Sequence, residues 1–132
     1  MRKLILLVDD DSSLSDCLSE VVQMEGVDVV CLPNGEEALH WLHHSDRLPS
    51  LILADLRMPV MDGARFLEEK DKCGPPISLI PVLVLTAAKD DICGNNIVGV
   101  LRKPFGIEDF LPYVNSIVPS ESSTDEERAP WA

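Results

Sequence analysis

The chain has 132 residues, a net charge of −12 and 45% hydrophobic residues, enough for one domain with a buried core and too apolar for a disordered polymer. The charge argues against non-specific attraction to nucleic acid or to an anionic membrane. The segment from Pro119 onward carries four acids and one arginine, so −9 of the −12 belongs to the remainder of the chain.

The first apolar run, Leu4–Val8, is short, continuous and closed by Asp9, Asp10 and Asp11. Five residues cannot cross a membrane or serve as a signal sequence, so the run is expected to be a buried parallel strand. Ser12 or Ser13 is expected to cap a helix with Leu14, Cys17, Leu18, Val21, Val22 and Met24 on its apolar side, ended by Gly26. Val27–Leu32 is a second strand, closed by Pro33-Asn34-Gly35. Glu36–His44 is a second helix with Ala38, Leu39, Trp41 and Leu42 on its apolar side. Leu51–Asp55 is the third strand, and Asp62 caps a third helix running to about Lys72.

After the Cys73-Gly74-Pro75-Pro76 loop, Pro81–Thr86 is a fourth strand, with Pro81 tolerable only at its beginning. Ala87–Asn96 is polar and holds a couple of helical turns at most, a truncated fourth helix. Ile97–Leu101 is the fifth strand and Ile107–Val118 the last helix. The Ser-, Glu- and Pro-rich stretch 119–132 is expected to be disordered, an acidic tail or a linker stub after a domain spanning 1–118. Cys17, Cys31, Cys73 and Cys93 show no CxxC spacing and read as reduced thiols of a cytoplasmic protein.

Strands alternating with helices indicate a doubly wound α/β fold with a five-stranded parallel sheet. Ligands of such sheets bind beyond the carboxyl ends of the strands. That rule gathers Asp9, Asp10, Asp55, Thr86 and Lys103 in one place. Several carboxylates held together repel one another unless a cation neutralises them. Mg²⁺ suits a few oxygen ligands plus waters. Asp9, Asp10, Asp55 and the Arg57 backbone carbonyl are the expected metal ligands. Asp55 then attacks an activated phosphorus as a carboxylate nucleophile, Lys103 balances charge on the transferring group, and Thr86 offers a hydroxyl to it. Alone, Asp55 would read as an ordinary turn aspartate. Asp11, a third acid at the start of a helix, reads as a cap favoured by the helix dipole. His40, His43 and His44 read as solvated helix residues rather than metal ligands.

Val8-Asp9-Asp10, Asp55 with Met58-Pro59 and Met61-Asp62-Gly63, Leu85-Thr86-Ala87, and Lys103-Pro104-Phe105 occur in the order found in one family. Over residues 3–118 the chain resembles the receiver domains of two-component response regulators. The resemblance implies a flavodoxin-like strand order 2-1-3-4-5, a phosphoacceptor at Asp55, metal acids at Asp9 and Asp10, a switch hydroxyl at Thr86 and a phosphate-pairing Lys103. It also implies Mg²⁺ as cofactor, a sensor histidine kinase or phosphotransfer protein as phosphate donor, and a cis bond before Pro104. Only self-phosphorylation and self-dephosphorylation are expected as catalysis, with an output partner the sequence does not specify.

The departures fall on one side of the molecule. Val100 stands where the family places an aromatic switch residue, Gly106 stands where a capping Asp is common, and Pro112 is expected to kink the last helix or delay its start. They concern the family's usual dimerisation and output face. An alternative reading is therefore a phosphorylation-independent interaction module resembling a pseudo-receiver. A phosphohydrolase of related topology is disfavoured, because Arg57 stands where that chemistry needs a second aspartate.

Overall fold

The computed structural model describes residues 3–56, 63–86 and 96–117. Its middle layer is a parallel sheet of β1 (Leu4–Val8), β2 (Asp28–Leu32), β3 (Leu51–Asp55), β4 (Val82–Thr86) and β5 (Ile97–Arg102), in the order β2-β1-β3-β4-β5. The three strands with unbroken apolar runs, β1, β3 and β4, are buried at every position and lie in the middle. The more mixed and less buried β2 and β5 form the edges.

Among the described residues four α-helices cover the sheet: α1 (Ser12–Met24), α2 (Gly35–His44), α3 (Gly63–Lys72) and α4 (Ile107–Ile117), with a 3-10 turn at Ile77–Leu79. Alternation along the strands divides the interior into two cores. Leu6, Val8, Ile52, Ala54, Val82 and Val84 pack with Ala38 and Leu42 of α2 and Phe66 and Leu67 of α3. Ile5, Leu7, Leu51, Leu53, Leu83 and Leu85 pack with Leu18 and Val22 of α1 and Phe110 and Val114 of α4. The doubly wound reading and its strand order hold.

Several local expectations need correction. Asp11 caps α1 in keeping with its reading as a cap, in place of Ser12 or Ser13, its carboxylate accepting the Leu14 N–H at 3.1 Å. Extended backbone at Asp11 leaves the two serines inside the first turn. Asn34 caps α2 by accepting from the Glu37 N–H at 2.9 Å. Strands β2 and β4 start one residue later than expected, and β5 runs one residue further because Arg102 pairs with Thr86. A delayed start for the last helix is not seen: α4 begins at Ile107 and carries Pro112 inside it. Buried Phe110 and Val114 hold both sides of the proline against the sheet, which offsets the one donor it removes. At the other end of that turn Asp109 accepts the Gly106 N–H at 3.1 Å, one half of a capping box.

Strand β5 is irregular. Val82 pairs with Ile97 and Leu83 with Gly99, so Val98 is the extra residue of a bulge and is 50% exposed. A side chain at Gly99 would overlap the Tyr113 ring of α4, so glycine permits that close crossing. Val100 is half-buried and packs against the core on the α2–α3 side. The truncated fourth helix, the Asp62 cap and the disordered tail lie outside the described residues, as does the Arg57 carbonyl. Cys17, Cys31 and Cys73 are free thiols. No helix among the described residues is long and apolar enough to cross a membrane.

Candidate functional site

The sheet's hydrogen bonding continues one residue past three strand ends. Asp9 N–H donates to Leu32 O at 3.1 Å, Leu56 N–H to Leu85 O at 3.1 Å, and Lys103 N–H to Thr86 O at 2.7 Å. This extension fixes the backbone of the candidate residues before their side chains are considered. Asp9, Asp55 and Thr86 are buried there although each is polar. Asp10 is exposed.

Lys103 joins the strand ends. Its Nζ lies 3.0 Å from Asp55 Oδ2 and 3.4 Å from Asp9 Oδ2. Both carboxylates are almost wholly buried, while the lysine keeps 23% of its side chain exposed. Asp9 also accepts the Asp11 N–H at 2.8 Å, which orients its second oxygen toward Lys103. Burial pushes the Asp9 carboxyl upward; the Asp11 N–H and Lys103 pull it down, the Asp55 charge adds to the rise, and the net direction is up. For Lys103 burial pulls downward, but the hydrogen bond to Asp55 and the two nearby carboxylates outweigh it and hold its pKa above the ordinary lysine value.

Asp9, Asp10 and Asp55 each place one carboxylate oxygen within 4.8 Å of the others. An all-oxygen set of this spacing fits a hard cation. Three of the expected metal ligands are therefore together; the fourth, the Arg57 carbonyl, is outside the described residues. Thr86 ends β4, buried beside this group and paired across the sheet with Arg102. The Lys103–Pro104 bond is cis, as the resemblance implied.

Two residues with a part in the architecture were not singled out from the sequence. Gly63 donates its N–H to Leu56 O at 2.9 Å, tying the start of α3 to the residue after Asp55. A methyl at Gly63 would overlap the Asp55 carbonyl oxygen and lie 2.6 Å from Leu56 Cα. The Met61-Asp62-Gly63 turn signal marked the position without showing this contact. Lys70 is fully buried and donates to Ser78 O at 3.0 Å. It sits at helical spacing from Phe66 and Leu67, but its charge disguised an inward-facing position.

The family model for the response regulator receiver domain matches residues 5–115. The chain is 35% identical over 126 residues to the transcriptional regulatory protein CpxR homolog of Haemophilus influenzae, covering 90% of this chain and 52% of that protein. It is 37% identical over 108 residues to the transcriptional regulatory protein CpxR of Escherichia coli K12, covering 82% and 41%. The chain thus spans about half the length of the curated relatives it matches. Among solved structures, a response regulator receiver protein from Pseudomonas putida superposes with a TM-score of 0.75 at 25% identity, covering 88% of this chain and 98% of that one.

Proposed function

The chain belongs to the response regulator receiver domain family, and we propose that it accepts a phosphoryl group on Asp55 from a sensor histidine kinase or a phosphotransfer protein. The observation that carries this reading is the position of Lys103 Nζ, 3.0 Å from Asp55 and 3.4 Å from Asp9. A cation that bridges a candidate nucleophile and a neighbouring acid is where charge on an incoming phosphoryl group needs balance.

An Asp55 carboxylate oxygen attacks the phosphorus. The P–O bond forms as the bond to the donor breaks, and the departing electron pair stays on the donor, an imidazole nitrogen when the donor is a phosphohistidine. Lys103 then exchanges part of its contact with Asp55 for a phosphoryl oxygen. Thr86, at the end of β4, turns its hydroxyl toward another. Asp9, Asp10 and Asp55 would hold Mg²⁺, which supplies positive charge to the transferring group. The burial of Asp9 and Asp55 keeps these interactions out of bulk water, where they would be weaker.

In this reading catalysis stops at self-phosphorylation and self-dephosphorylation, with no turnover of a separate substrate. The domain works in the cytoplasm and passes its state to a protein partner, without contacting nucleic acid itself, in keeping with its net charge of −12. Incubation with Mg²⁺ and acetyl phosphate, followed by intact mass measurement, tests the proposal. One phosphate adduct that disappears in Asp55→Asn is the expected result. An unmodified chain under these conditions, or an adduct that persists in Asp55→Asn, overturns it.

A further inference from the structure

Asp11 follows the two metal acids in the chain but stands outside the group whose oxygens come within 4.8 Å of one another, Asp9, Asp10 and Asp55. Taking the metal set of the proposed function as given, we infer that Asp11 is a positioning residue for it. By capping α1, Asp11 holds the Asp9–Asp10 turn in the shape that receives Mg²⁺.

The contacts run in a chain from sheet to helix. Asp9 is fixed on the sheet side, its N–H donating to Leu32 O at 3.1 Å. Asp11 is fixed twice on the helix side. Its Oδ1 accepts the Leu14 N–H at 3.1 Å, and its carbonyl accepts the Ser15 N–H at 3.0 Å. The helix is held in turn by Leu18 and Val22, buried against the sheet. Asp11 then joins the two sides, its own N–H donating to Asp9 Oδ1 at 2.8 Å. Asp10, the exposed acid of the set, is the single residue between these fixed points.

The cap and the bond to Asp9 depend on one another. A capping residue keeps extended backbone while the residues after it turn helical, and Asp11 has φ −87° and ψ 101°. The side-chain bond to Leu14 stabilises that geometry, which aims the Asp11 N–H back at Asp9. Without the cap the turn loses its fixed shape, and ordering it on binding costs affinity. A hydrogen bond that orients a metal ligand from outside the coordination sphere is typically worth about tenfold or more in affinity.

The negative charge of Asp11 would attract a cation whichever way its backbone lay, so charge and cap are separable. Asparagine caps as well as aspartate but is neutral. Glutamate keeps the charge but carries its oxygens one methylene further from the Leu14 N–H. Mg²⁺ titrations of the four proteins, followed by the backbone amide resonances of residues 9–11, test the inference at a temperature where circular dichroism shows all of them folded. Asp11→Ala and Asp11→Glu bind about tenfold more weakly than wild type. Asp11→Asn stays within about threefold, the scale of one exposed charge. A cap that served stability alone would leave all the affinities equal, and that result overturns the inference. So does Asp11→Asn losing as much as Asp11→Ala, or Asp11→Glu binding like wild type, since either assigns the effect to charge. Wild type that binds no Mg²⁺ overturns the metal set as well, whereas equal affinities in wild type and Asp11→Ala overturn only the role of Asp11.

Discussion

Lys103 and Lys70 mark two regions that treat a buried amine in opposite ways. At the carboxyl ends of the strands, Lys103 lies between Asp55 and Asp9, and those carboxylates hold its pKa above the ordinary value against the downward pull of burial. Behind α3, Lys70 is fully buried against the Ser78 carbonyl, which also accepts from Asn96 Nδ2 at 2.8 Å. There burial dominates and lowers the pKa, with Asp71 and Cys73 opposing it only in part. The first setting keeps a charge available for chemistry. The second uses a lysine to tie α3 to the 3-10 turn and the entry of β5.

The largest expected effect separates the two roles directly. Lys103→Met slows formation of the phosphate adduct by about 100- to 1,000-fold, the usual loss when one charge-stabilising donor is removed, as timed by intact mass with acetyl phosphate. Lys70→Met leaves that rate nearly unchanged. Equal rates for wild type and Lys103→Met would reduce Lys103 to a structural tie and erase the contrast.

Stability reverses the ranking. Lys70→Ala empties a fully buried site and is expected to cost about 2–4 kcal/mol in urea unfolding. Lys70→Met fills the same space and stays within about 1 kcal/mol, because Ser78 O retains Asn96 as a partner. If Met proves as damaging as Ala, the ammonium rather than its stem holds this region together.

Gly63 tests whether the start of α3 belongs to the chemical region. A methyl there must displace the backbone at Asp55 and Leu56, so Gly63→Ala should lose about 1–3 kcal/mol, the range for forced overpacking. It should also slow adduct formation, since the displaced carbonyl belongs to Asp55 itself. A stability loss with an unchanged rate would show that Asp55 Cα need not move.

The smallest effect appears at alkaline pH. Lys70 has a lowered folded-state pKa, so its protonated form penalises folding. That penalty fades as pH rises from the folded value to about 10.4, the unfolded one. Lys103 has a raised pKa, so its contribution is intact below about 10.4 and is lost as pH rises through the higher folded value. Urea midpoints followed from pH 8 to 11 should lose the rising component in Lys70→Met and the falling component in Lys103→Met. Neither slope exceeds about 1.4 kcal/mol per pH unit. Parallel curves for both variants would contradict the opposed settings.

The legibility of the candidate site followed the same division. Asp9, Asp55, Thr86 and Lys103 each stand at or just past the end of an apolar run, so strand periodicity alone predicted their shared rim. The Gly63 contact could not be read, because it joins the first residue of α3 to a strand end through space rather than through a pattern. Lys70 was legible only as a charge on α3, since neither its burial nor the Ser78 carbonyl is encoded in local spacing.

By itself, then, the sequence determined the parallel sheet, its strand order by resemblance, and the set of residues at its carboxyl ends. Continuous apolar runs must be buried on both faces, and the polar residue that ends each run must come to the surface beside its neighbours. Tertiary structure alone decided which of those residues bond to one another. Lys103 and Asp9 are 94 positions apart, and their pairing depends on two strands on either side of β3 and β4 being held in register. Only that packing sets how far each charge is removed from water, and so whether a buried lysine serves chemistry or structure.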